Sequence, residues 1–107
     1  MAWDHEAVLH GLQTAVQPDG PAGATIHMRH VRLREPSDRT EGAVTAELRV
    51  TQPEGGTETW ALHLPLDTRD ASLPEQALVA TVQANVMEWW HLKDQDPQTA
   101  RLARRIS

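Results

Sequence analysis

Apolar residues recur at two spacings along this chain, and the switch between them outlines a fold. Between residues 3 and 16, His5, Leu9, Leu12 and Val16 fall on one helix face, and Val8 and Ala15 widen the stripe. Asp4 stands where an N-cap is needed, because its carboxylate accepts from N–H groups that the first turn leaves open. Pro18-Asp19-Gly20-Pro21 then ends the helix: proline lacks a donor and glycine supplies turn dihedrals. Residues 24–34 read as a strand whose phase slips. Ile26 and Met28 are apolar at even positions, Val31 and Leu33 at odd ones. Regular alternation would send these pairs to opposite faces. One extra residue near Arg29-His30 repairs the pattern, which predicts a β-bulge there.

Residues 43–51 alternate cleanly, with Val44, Ala46, Leu48 and Val50 inward and Thr45, Glu47, Arg49 and Thr51 outward. Pro53-Glu54-Gly55-Gly56 reads as a hairpin turn. Residues 57–66 alternate again, with Trp60, Leu62, Leu64 and Leu66 inward and His63 outward. A second helix is expected over 73–92, where Leu78, Val82, Val86 and Trp89 form a core stripe flanked by Val79 and Trp90. Ser72 and Glu75 fit a capping box at its start.

The order α-β-β-β-α predicts an α+β fold, a three-stranded antiparallel meander with two helices packed on one face. The expected domain covers residues 1–94. Residues 95–107 are expected to form a basic helical tail, started by Asp96-Pro97, with Leu102 and Ile106 on one side. The chain has four Trp and neither Phe nor Tyr. If β-strands alternate in direction, the second helix returns along the third strand. Trp89 and Trp90 then end beside Trp60, while Trp3 lies at the opposite end. Adjacent helix residues point about 100° apart, so only one of the Trp89-Trp90 pair can face the core squarely. Trp90 either covers the open end of the core or, with His91, forms a binding surface.

Composition narrows the chemistry. At 107 residues the chain has room for one modest core. The absence of Cys removes disulfides, thiolate metal sites and Cys nucleophiles, and fits a cytoplasmic protein. The first twenty residues lack the basic start and apolar run of a leader, and no stretch has the length of a membrane span. The net charge of −5 weighs against a general nucleic-acid binder. Basic residues are nevertheless concentrated in two places: Arg29, Arg32 and Arg34 with His27 and His30, and Arg101, Arg104 and Arg105. Glu35, Glu41 and Glu47 are expected to neutralise the first group.

No catalytic constellation emerges. His5 and His10 imitate the HExxH zinc motif with one residue too many, so they diverge by about 140° on a helix. His27, His30 and His63 share the outward face, but the second strand would separate His63 from the first by about 9–10 Å, given a spacing near 4.8 Å. No metal site and no cofactor are expected. Glycine-rich phosphate loops and nucleophile elbows are absent from the sequence.

The element order is similar to that of the double-stranded RNA-binding domain. In that family the second helix opens with a Lys-rich phosphate-binding cluster. Here Asp70-Ala71-Ser72-Leu73-Pro74-Glu75-Gln76 is acidic and holds neither Lys nor Arg, so the resemblance is one of topology. The reading preferred is a small non-catalytic adaptor or chaperone-like module that binds another protein or a second copy of itself, and no membrane. Its candidate binding residues are Trp90, His91, Arg49, His63, Arg101 and Arg105. One alternative is a nucleic-acid-associated protein using Arg29, Arg32 and Arg34 with the Arg-rich tail. A third is a metal or small-molecule binder using the His-bearing face.

Overall fold

The computed structural model describes residues 3–107. Its elements run α1 (His5–Leu12), β1 (Thr25–Arg34), β2 (Gly42–Thr51), β3 (Thr57–Leu66), α2 (Glu75–Leu92), α3 (Pro97–Ala100) and β4 (Ala103–Arg105). The strands form one antiparallel sheet in the order β1-β2-β3-β4. Both long helices bury their apolar stripes on the same side of it. Val8 and Leu12 of α1 and Leu78, Val82, Val86 and Trp89 of α2 meet the inward residues of the strands in one core. Among the described residues no helix is long and apolar enough to cross a membrane.

The predicted bulge is present. Ile26, Met28 and Arg29 of β1 pair with Val50, Leu48 and Glu47, and pairing resumes only at Arg32 with Thr45. His30 takes up the extra length at φ 53°, in the left-handed region. Ile26 and Met28 are therefore buried while Val31 and Leu33 also pack against the core.

Three local expectations give way to tertiary contacts. Helix α1 stops at Leu12 because Val16 leaves it to exchange backbone hydrogen bonds with Ile26, of 3.0 and 2.9 Å. Ser72 does not cap α2. It closes its own 3-10 turn at Asp70–Ser72, its hydroxyl donating to the Arg69 carbonyl at 2.8 Å, and Pro74 takes the N-cap position without a side-chain bond. The tail is helical only over α3, where the Asp96 carboxylate accepts from Gln98 N–H. Beyond it the chain straightens into β4, which pairs Trp60, Ala61 and Leu62 with Arg105, Arg104 and Ala103. Ala103 enters the core, whereas Ile106 is exposed and shares no helix side with Leu102. The unfilled edge of β3 explains this choice: its N–H and C=O groups offer the tail more hydrogen bonds than a short isolated helix would retain.

Two substitutions test this backbone. His30→Gly relieves the left-handed conformation and is expected to leave stability unchanged or slightly higher. His30→Val, β-branched at the same φ, is expected to cost about 1–2 kcal/mol in urea unfolding. A Cβ at Gly42 would stand 2.5 Å from Pro36 N and 2.6 Å from the Arg34 carbonyl oxygen. Gly42→Ala is therefore expected to destabilise by about 1–3 kcal/mol, because backbone has to move.

Candidate functional site: two surfaces built by the register

Three of the four tryptophans gather at one end, as the topology predicts. Trp60 and Trp89 meet edge-to-face with ring centroids 4.9 Å apart, and Trp89 and Trp90 are 6.1 Å apart and tilted. Trp89 is fully buried and Trp90 half-buried. Trp3 lies at the other end, its indole N–H donating to the Leu73 carbonyl at 2.8 Å. The indole of Trp60 donates to Glu58 at 3.0 Å. Trp89 Nε1 meets no acceptor among the described residues, an arrangement that generally costs about 1–3 kcal/mol.

Asp19 answers why Trp90 and His91 stand together. One carboxylate oxygen accepts from Trp90 Nε1 at 3.1 Å and the other from His91 Nε2 at 2.9 Å. The 17–24 loop is thereby fastened to the end of α2. Hydrogen bonds from His91, then from Trp90, hold the Asp19 carboxyl below its usual range. Lys93, the sole lysine of the chain, lays its ammonium 4.7 Å from the Trp90 ring centroid and 5.7 Å from that of Trp60, and reaches Asp94 at 3.0 Å. Burial pushes Glu58 up, but hydrogen bonds from Gln52 and Trp60 and the nearby Arg105 and Lys93 outweigh it, and the carboxyl sits below its usual range. Arg105 belongs to this end too, paired across β4 with Trp60. At the opposite end Glu35 accepts from His5 at 2.8 Å and from Trp3 N–H at 3.1 Å, and these bonds hold its carboxyl low.

The outer sheet face is the second surface. Register places Thr25, Thr51 and Thr57 in one outward row and His27, Arg49 and Thr59 in the next. Arg29, Glu47, Ala61 and Arg104 follow, then Arg32, Thr45 and His63, then Arg34, Ala43 and Pro65. The bulge is what lets Arg29 share a face with Arg32 and Arg34, since their numbering has opposite parity. Of the chain's 15 acidic residues, Glu47 alone occupies an outward strand position.

Glu35, Glu41 and Glu47 form no direct ion pair with these arginines, although Glu47 stands across from Arg29 in register. Glu35 is committed to His5 and Trp3, and Glu41 meets Arg34 only through its carbonyl oxygen. Glu47 stands 3.8 Å from His30. Among the described residues no carboxylate lies within 4.0 Å of Arg29, Arg32, Arg34, Arg49 or Arg104. Arg32, Leu33, Arg34, Ala43 and Thr45 line a depression of about 300 Å³.

The candidate residues thus divide. Arg49 and His63 join Arg29, Arg32 and Arg34 on the outer face. Trp90 and His91 are engaged by Asp19, Arg105 borders the Trp end, and Arg101 lies exposed after α3. Two participants carry no local sequence signal for the place they take. By sequence Asp19 reads as turn chemistry and Arg104 as part of a basic helical tail. Among the described residues no group of three His, Cys, Asp or Glu is arranged to hold a metal ion. Comparison with protein-family models, curated proteins and solved structures finds no match to this chain.

Trp89→Ala is expected to cost about 3–5 kcal/mol in denaturant unfolding, as a large buried aromatic does, and Trp90→Ala about 1–2 kcal/mol with a cooperative transition retained. Asp19→Asn is expected to lower the thermal midpoint at pH 7. Because the Asp19 carboxyl is depressed in the fold, its contribution is complete above about pH 4 and fades as pH falls through the folded value. The difference between wild type and Asp19→Asn should therefore shrink as pH falls below about 4, measured by thermal melts.

Proposed function

We propose that this chain is a non-catalytic binding module whose partner is another protein, and that the outer sheet face receives it. The observation that supports this reading is the set of five arginines on that face with a single outward carboxylate among them. Guanidinium groups without a carboxylate partner on a rigid sheet present planar, bidentate donors, which suits carboxylates. An isologous dimer through this face would set arginine against arginine, so the acidic surface of a different protein fits better than a second copy. The Trp end offers less to a partner, because Asp19 already takes Trp90 Nε1 and His91 Nε2.

Nucleic acid is the second reading, supported by the alignment of Arg29, Arg32 and Arg34 on one face. Two observations weigh against it. The net charge is −5, and all four Trp lie on the helix side or at the ends, leaving the Arg face without a stacking platform.

Titration with fluorescent poly-L-glutamate and with a single-stranded oligodeoxynucleotide of equal charge separates the readings. Poly-L-glutamate is expected to bind more tightly, to weaken as salt rises, and to lose most of its affinity with Arg49→Glu. Tighter binding of the oligonucleotide would transfer the face to nucleic acid.

A further inference from the structure

The arginines of β1 are not merely clustered; they are spaced. Arg29, Arg32 and Arg34 pair with Glu47, Thr45 and Ala43, which are successive alternate residues of β2. Despite the bulge, the three guanidinium-bearing positions therefore repeat at the two-residue interval of a regular strand, about 6.4–6.8 Å. Alternate side chains of any extended peptide repeat at the same interval. A helix offers no such match, since its same-face neighbours are three or four residues apart.

Two further features specify how such a peptide would lie. Edge pairing along β1 is obstructed: Val16 already occupies the backbone of Ile26, and His30 interrupts the strand with its positive φ. The face is open instead, and the depression between Arg32 and Arg34 is lined by Leu33 and by the small residues Ala43 and Thr45. A carboxylate entering there has a guanidinium on either side and the Thr45 hydroxyl below.

We infer that the outer face binds an extended acidic segment of a partner protein, with Asp or Glu at every second position interleaved with Arg29, Arg32 and Arg34, so that one of these acids is seated between Arg32 and Arg34. This rests on the reading of the outer face as a protein-binding surface and adds the conformation and sequence pattern of what binds.

The test uses the full chain and three labelled probes at low salt: an alternating Glu-Thr octapeptide, a peptide of the same composition with its four Glu in one block, and the oligonucleotide. The alternating peptide is expected to bind several-fold more tightly than the blocked one. Arg32→Gln should weaken the alternating peptide by about two- to fivefold, the worth of one exposed ion pair, with the far-UV spectrum and melting midpoint unchanged. Equal binding of the two peptides, both lost with Arg49→Glu, would overturn the comb and leave the protein-binding face standing. Binding of neither peptide would overturn both, and so would tighter binding of the oligonucleotide. Unchanged affinity in Arg32→Gln would also overturn the seat between Arg32 and Arg34. Should Arg32→Gln unfold the chain, Thr45→Val, which removes the hydroxyl from the same depression, carries the test in its place, with a loss of affinity expected and no loss overturning the seat.

Discussion

One extra residue in β1 is the constraint on which both faces of the sheet depend. The pleat allows side chains only two directions, and a strand whose apolar residues change parity cannot bury them all. His30 absorbs the change by adopting φ 53°. On the inner side, Ile26 and Met28 then share a core with Val31 and Leu33. On the outer side, the same step brings Arg29 into line with Arg32 and Arg34. A core requirement and a charge array thus follow from a single backbone feature. The conformational cost at His30 is offset by apolar area buried on both sides of the bulge.

The two ends of the molecule are closed by related means. A carboxylate from a loop or strand end takes a His ring and a Trp-associated N–H together: Asp19 with His91 and the Trp90 indole, Glu35 with His5 and the Trp3 backbone. Each joins a helix to a segment far away in sequence. Both carboxyl groups are held low by these bonds, so the two fastenings weaken together in acid. Small domains have little core to spare, and such ties hold loops that hydrophobic burial does not reach. They also leave the Arg face untouched, because the carboxylates involved lie off the outer sheet surface.

Charge segregation gives that face its character. The chain is acidic as a whole, yet all its acids but Glu47 stand off the outward strand positions, where the charged residues are otherwise arginine and histidine. Net charge alone pointed away from an anionic partner, and the distribution reverses the argument. A field is set by where charges lie, and an Arg cluster on a rigid surface acts locally within a Debye length of about 8–10 Å whatever the total.

Periodicity by itself determined the α+β class, the three long strands, the two helices, the bulge at Arg29-His30 and the gathering of Trp60, Trp89 and Trp90. These follow from which side chains avoid water, and alternation at 2.0 or 3.6 residues records that directly. Tertiary structure decided what depends on partners remote in sequence. Val16 left a helical pattern for Ile26, Ser72 gave up a cap to close its own turn, and Ala103–Arg105 became a strand because β3 had an edge to fill. Asp19 acquired Trp90 and His91 for the same reason, across 71 and 72 residues of chain. Each of these segments had a local alternative, and local propensities differ by only about 1 kcal/mol or less per residue. A difference so small is settled by which backbone or carboxylate the fold brings within hydrogen-bond reach, and no local pattern carries that information.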